Sequence, residues 1–382
     1  MKFICMYYKM VDSFLFSLPV PVSINCYWGV GSMLGMCITV QILSGLVLSM
    51  FYSCGVEMSF LSVVYVMTDV SGGWLVRYVH SSGASLLMLL MYVHILRGLW
   101  YGSYKNLGVW VVGVIIVVML SLVSFLGYVL PWGQMSFWAA TVITSMVTAV
   151  PYVGNMMSLW LWGSFTVGDS TLVRFFSFHY IMSIMVVLVV LIHLINLHEL
   201  GSYNPVGAYS GLDKLVFHPL FSYKDLVGLV MLIWMYVVVV FWNPLMSMDS
   251  VNFEECSSLK TPVHIKPEWY FLYAYCVLRS VSSKMGGVLM MCMSMLILLV
   301  PCLSRGLNVI NSCSFFVSSV FVVMVIWSFF GLTILGGCLV EYPFELLGKV
   351  FTLLYFFSMI MIPISSDLSS LSWLVKNANS SI

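Results

Sequence analysis

The chain has 382 residues, 62% of them hydrophobic and 8% charged, with a formal net charge of +1. Soluble domains carry about 25% charged residues, so this is a polytopic membrane protein, and its near-zero charge makes no case for nucleic-acid binding. Ten cysteines without a C-x-x-C or C-x-x-C-H spacing argue against a zinc site, a thioredoxin-like motif and covalently attached heme.

The N-terminus holds Lys2, Lys9 and Asp12 among apolar residues with no small-residue cleavage site, a poor signal peptide. The first span then acts as its own insertion signal. Abundant Met, Phe, Val and Cys with little Ala hint at a T-rich, organellar genome. Eight stretches reach the roughly 20 apolar residues that a span needs, at about 29–51, 75–100, 109–130, 173–197, 226–243, 286–304, 315–338 and 346–364. The segment 134–150 is too short and polar to cross and reads as an interfacial helix. The expected organisation is an all-α polytopic fold. It has an N-terminal interfacial segment (1–28), a four-helix bundle (29–210) and a C-terminal four-helix region (211–382).

An even span count puts both termini on one side. That side carries Lys2, Lys9, Arg97, Lys105, Lys214, Lys224, Arg305 and Lys376 against Asp12, Glu199, Asp213, Asp225 and Asp367. The other side is net acidic, so the termini are expected on the negative side.

His80/His94 and His179/His193 are each fourteen positions apart, on the second and fourth spans. Fourteen helical residues bring both side chains to one face, about 21 Å apart along the axis. The third span returns between them, so the histidine spans are parallel. His80 must then meet His179 near the positive side, and His94 must meet His193 near the negative side. Two imidazoles trans on heme iron leave no open position, which suits electron transfer. Satisfied core histidines are the bland alternative, but ionisable residues inside membranes are costly and usually functional.

Gly31/Gly45 and Gly113/Gly127 repeat the interval on the first and third spans. They give a flat macrocycle clearance, or else serve ordinary small-residue helix packing. Arg77 and Arg97 lie three residues outside the second span's histidines, placed to neutralise heme propionates or to snorkel. On the positive side, Gly127–Gln134 contains a Pro-Trp-Gly-Gln turn, and Pro267-Glu268-Trp269-Tyr270 precedes the sixth span. Glu268 is a candidate proton acceptor for a substrate hydroxyl, or an interfacial acid between aromatic anchors. His198, Ser202, Lys224 and Asp225 share one connection on the other side, either as a quinone site or as solvated loop residues.

The strings RYVHSSGAS (77–85), YVHILRGLWYGSY (92–104), GYVLPWGQMSFWAATVIT (127–144), FHYIMSIMVVLVVLIHLINLHELGSYNP (178–205), FHPLFSYKDLVG (217–228) and HIKPEWYFLYAYCVLRS (264–280) resemble the cytochrome b family, the membrane subunit of the cytochrome bc1 complex (respiratory complex III). The resemblance implies two non-covalent b hemes and a quinone cycle coupled to proton translocation. Ubiquinol is oxidised at the positive side under the PEWY loop. One electron passes to the Rieske iron–sulfur protein, and the other passes through the low-potential heme on His80 and His179. That electron continues through the high-potential heme on His94 and His193 to ubiquinone at the negative side. By the same resemblance Tyr128, Glu268 and Tyr275 line the oxidising site, with Glu268 as proton acceptor. Trp28, Ser32, His198, Ser202, Lys224 and Asp225 match the reducing site. Implied partners are the Rieske protein, cytochrome c1, other complex III subunits and a second copy of the chain. The implied setting is the mitochondrial inner membrane, with a bacterial plasma membrane as the alternative. Two other classes compete. A transporter with histidines on a proton path would favour broken helices and inverted repeats. A di-heme anchor for a soluble dehydrogenase would lack the PEWY and PWGQ loops.

Three positions depart from the family pattern. Ser82 replaces a usual Asn after His80, and Tyr203 replaces a usual Asn beside the reducing site. Ala139 stands in SFWAATV where Gly is usual, which narrows the oxidising pocket by one methyl. Methoxyacrylate-type inhibitors are therefore expected to bind less well while turnover is retained. Inhibitor titration of an Ala139→Gly variant checks this, and an unchanged inhibition curve would sink it.

Overall fold

The computed structural model describes residues 12, 16–206, 210–304 and 316–380, the side chains of 316 and 370–380 excepted. Most of the first half of the expected segment 1–28 lies outside the described residues, as does Arg305 of the charge comparison.

Lipid offers backbone groups no hydrogen bonds, so long apolar stretches close their own as helices. Among the described residues, eight helices are long and apolar enough to cross a membrane: Cys26–Ser49, Gly73–Trp100, Leu107–Val129, Asp169–Leu200, Leu220–Trp242, Lys284–Leu303, Val317–Gly336 and Phe344–Ser369. These are the first to eighth spans, and the fold is the expected all-α polytopic one. Small polar side chains start three of them by satisfying free N–H groups, with Asn25 accepting from the Tyr27 amide at 3.0 Å ahead of the first span. Asn106 accepts from the Val109 amide at 3.5 Å, and Ser283 accepts from the Gly286 amide at 3.1 Å. Gly72 and Gly102, with φ of 71° and 72°, turn the chain at either end of the second span.

The first span lies along the second, the third along the fourth, and the fifth leans on the first two. The region 211–382 thus lends its first helix to the N-terminal bundle. The last three spans pack around the short helix Leu272–Ser280, with Val277, Val322, Leu332, Met359 and Ile362 in their shared core. Trp110 of the third span donates to the Leu298 carbonyl at 2.6 Å and so ties the two halves together. The fourth span turns Ile181, Ile184, Leu188 and Ile192 outward, the face expected against lipid.

Short helices at Ser59–Thr68, Gln134–Ser145 and Gly154–Trp162 join the first four spans. The 134–150 segment is a helix, and its polar face is turned into protein. The Gln134 amide donates to the Lys260 carbonyl at 2.5 Å and accepts from the Ser257 amide at 2.7 Å. The Ser136 amide donates to Asn252 Oδ1 at 2.9 Å. One small β-ladder was not expected from the sequence: Pro19–Pro21 pairs antiparallel with Lys214–Val216. Pro19 and Pro21 bring no amide donors, which suits a short two-stranded edge.

The seventh span meets the Leu272–Ser280 helix at Gly336, where a Cβ would overlap the Leu272 carbonyl oxygen and sit 2.7 Å from its carbon. Forcing the two backbones apart costs about 1–3 kcal/mol. Gly336→Ala is expected to lower the thermal inactivation midpoint of the purified complex, and an unchanged midpoint would refute this close approach.

Candidate functional site

The shared fourteen-residue interval puts His80 level with His179 and His94 level with His193, with ring centroids 6.2 Å and 6.4 Å apart. With metal–imidazole bonds of about 2 Å, two imidazoles on opposite sides of one metal have centroids about 6.3 Å apart. The ring nitrogens agree for the first pair. Ser44 Oγ donates to the Val40 carbonyl at 2.6 Å, leaving a lone pair for His80 Nδ1–H at 3.0 Å. His179 Nδ1–H donates to the Val123 carbonyl at 2.9 Å. Each bond holds the proton on Nδ1 and leaves Nε2 for a metal.

The second pair is less finished. His193 Nδ1 is buried near the Val109 backbone without closing a hydrogen bond of normal geometry. Arg97 Nη2 lies 3.2 Å from His94 Nδ1. A guanidinium only donates, so this contact places the His94 proton on Nε2. The first pair therefore fits a bis-imidazole iron as it stands. The second fits once Arg97 turns to an anionic group.

The glycines abut the histidine rings themselves. A Cβ would come 3.0 Å from His80 Cε1 at Gly45 and 2.6 Å from His179 Cε1 at Gly127. The corresponding approach is 3.3 Å to His193 at Gly113 and 3.6 Å to His94 at Gly31. The first thing these positions clear is the imidazole, which lets each flanking helix lie against the ring.

A cavity of about 570 Å³ opens at the level of His80 and His179, and Arg77, Tyr128 and Glu268 line it with both rings. Burial, reinforced by nearby Asp249 and opposed by Arg77 and Lys266, pushes the Glu268 carboxyl up to about 7. Asp249 lines the same cavity, 3.2 Å from Lys266. Sequence reasoning passed over Asp249, whose only signal is an acid in the loop ahead of PEWY. Ser44 gave no signal, because a helical serine is commonplace.

Trp269 and Tyr270 are pinned to the second span rather than left as belt anchors. Trp269 Nε1 donates to Ser85 Oγ at 3.3 Å, and the Tyr92 hydroxyl donates to the Tyr270 carbonyl at 2.5 Å. Tyr275 stands outside the cavity lining. Its hydroxyl donates to the Ile265 carbonyl at 3.3 Å, and Arg279 covers its ring at 4.7 Å. Ala139 is buried on the Gln134–Ser145 helix and is also absent from that lining, so its methyl does not directly narrow this cavity as expected from the sequence. The Ser82 hydroxyl reaches the Pro244 carbonyl at 3.4 Å.

At the level of His94 the structure gathers a second polar group. Trp28 Nε1 donates to the Tyr203 carbonyl at 2.8 Å, and Arg97 lies 5.2 Å from the Trp28 ring centre. It is the Tyr203 backbone that makes this contact, so the side-chain change there leaves it intact. The Asp225 carboxylate stands beside Ser32, at the start of the first span, where a Cβ on Gly29 would meet Asp225 Oδ1 at 3.0 Å. Lys224 turns away to the Ile24 carbonyl at 3.4 Å. His198 lies in the last turn of the fourth span, and Ser202 lies just past Gly201.

A family model for cytochrome b/b6/petB matches residues 15–201, and one for cytochrome b (C-terminal)/b6/petD matches residues 255–356. Cytochrome b of Leptorhynchoides thecatus is 45% identical over 347 residues, 91% of this chain and 93% of that protein. A chain of a hyperthermophilic respiratory complex III superposes with a TM-score of 0.90 at 30% identity, covering 96% of this chain and 98% of that one. Met by both halves of the family and by relatives across nearly its whole length, the chain belongs to the cytochrome b family.

Proposed function

We propose that His80 with His179, and His94 with His193, would hold two b hemes in this electron-transfer subunit of a ubiquinol–cytochrome c oxidoreductase. The observation that carries this is the pair of matched ring separations, set about 21 Å apart by the helical interval. When bound, the hemes supply one-electron redox steps between the two ends of the bundle. The protein is a multi-pass membrane subunit of a respiratory complex. The mitochondrial inner membrane, a Rieske protein, cytochrome c1 and a second copy of the chain are the setting and partners we infer. A bacterial plasma membrane is the alternative setting.

Within the cavity at the His80 end, the part lined by Tyr128 and Glu268, beside the gap between the His80 and His179 rings that the first heme would fill, is the quinol-oxidising site on the positive side. Glu268 accepts a proton from the quinol hydroxyl there, because burial holds its proton affinity near that of the working pH. Tyr128 lines the site beside it, and Tyr275 acts by holding Ile265 at the foot of the PEWY loop. Arg77 and Arg97 provide cationic partners for propionates. Gly31, Gly45, Gly113 and Gly127 keep the flanking helices against the ligand rings. At the negative-side end, Trp28, Ser32, His198, Ser202, Lys224 and Asp225 surround the quinone-reducing site. Asp225 and His198 are its proton-exchanging groups.

His80→Leu is expected to abolish one of two bis-histidine b-type spectra and leave the other. Retention of both would end the ligand assignment. An acceptor must be unprotonated, so quinol oxidation should rise as pH passes upward through about 7 and level off above. In Glu268→Gln the rate falls about 10²-fold or more, the scale of a lost general base, and that pH limb disappears. A pH–rate profile unaltered by the substitution would remove Glu268 from the step.

A further inference from the structure

Arg279 is a cation with no carboxylate in ion-pair reach among the described residues. It lies near the end of the short helix Leu272–Ser280 and spends its donors on the end of the seventh span instead. Its Nη1 donates to the Cys338 carbonyl at 3.0 Å, and its Nη2 donates to the Leu335 carbonyl at 2.8 Å. The last carbonyls of a helix lack partners within it and carry partial negative charge, so a guanidinium fork caps them well. Two bonds at the tip fix the plane of the group. That plane covers Tyr275, one helical turn earlier, with Cζ 4.7 Å from the ring centre.

The anchor itself is firm, because Gly336 sets the end of the seventh span directly against Leu272 of the short helix. On the far side of the ring, the Tyr275 hydroxyl donates to the Ile265 carbonyl at 3.3 Å. A cation over a phenol draws electron density from it and makes its hydroxyl a better donor, as linked polar groups polarise one another. Only Lys266 and Pro267 separate Ile265 from Glu268. Lys266 is held to Asp249 at 3.2 Å, and the proline fixes its own φ and restricts the residue before it. Little slack is left between the Ile265 carbonyl and the Glu268 carboxyl.

We propose that Arg279 is a positioning residue for quinol oxidation: from the end of the seventh span it holds Tyr275, and through Ile265 it sets where Glu268 stands in the cavity. This rests on reading Glu268 as the proton acceptor. Neither Arg279 nor Tyr275 lines the cavity, so the effect reaches the substrate only through the loop. A displaced acceptor weakens the transition state and leaves ground-state binding alone, so the loss falls on kcat and not on KM.

The test uses the purified complex with ubiquinol as substrate, kcat and KM being measured separately. Glu268→Gln comes first: a wild-type rate there defeats the acceptor reading, and this proposal with it. Once that loss is seen, Arg279→Gln and Tyr275→Phe are each expected to lower kcat about ten-fold, with KM and both b-type spectra unchanged. The double variant should be no slower than Tyr275→Phe alone, because the shared route is already cut at the hydroxyl. A helix cap that served stability alone would cost the same in both backgrounds. An unchanged kcat in Arg279→Gln, a loss confined to KM, or additive losses in the double variant overturns the proposal. Should Arg279→Gln fail to assemble, Arg279→Lys decides in its place, since one ammonium cannot span both carbonyls and the ring.

Discussion

Everything in this fold answers to one register: two parallel helices carry histidines at the same interval, so that rings meet across the bundle at two levels. Parallel neighbours require an odd number of intervening spans, which fixes the third span as the return. A ring-to-ring gap of this width also requires the outer helices to come close behind each imidazole. Glycine at the same interval on the first and third spans meets that requirement, since any Cβ at Gly45 or Gly127 would press on the ring. The His pairs, the Gly pairs and the span order are therefore one constraint expressed three times.

The two ends of the bundle are built differently. At the His80 end, loops from both halves of the chain lock together. The Pro-Trp-Gly-Gln turn is stitched to 252–260, and PEWY is pinned to the second span. The result is a cavity in which a buried carboxyl is kept from ionising easily. At the His94 end, contacts run from the first span to the connections around Tyr203 and Asp225, and the β-ladder fastens the N-terminal segment to the loop ahead of the fifth span.

Hydropathy and helical period made the eight spans, the facing histidines and the level of each glycine legible, because all three are repeats along a single helix. What sequence did not disclose depends on chain segments meeting in space. Asp249 matters only because its loop folds over the cavity of Glu268. Ser44 matters only because His80 on another helix turns toward it. The helices Ser59–Thr68 and Gly154–Trp162 are too short for hydropathy to separate from loop, and Pro19–Pro21 carries no strand pattern. The fifth span belongs by chain order to the second half and by packing to the first. The glycines were read as room for a macrocycle, and the structure sets them against the rings, a distinction that spacing cannot make.

The two ligands of the first centre lean on unlike supports. His179 gives its proton to a backbone carbonyl, and His80 gives its proton to a serine hydroxyl. A carbonyl is present whatever residue occupies position 123, so the His179 support is indifferent to mutation. The hydroxyl of Ser44 exists only while that codon specifies one. Of the two imidazoles, only His80 can have its basicity altered by a single substitution in its hydrogen-bond partner. One substitution on the first span thus removes the serine support of His80, while no side-chain change at position 123 removes the support of His179.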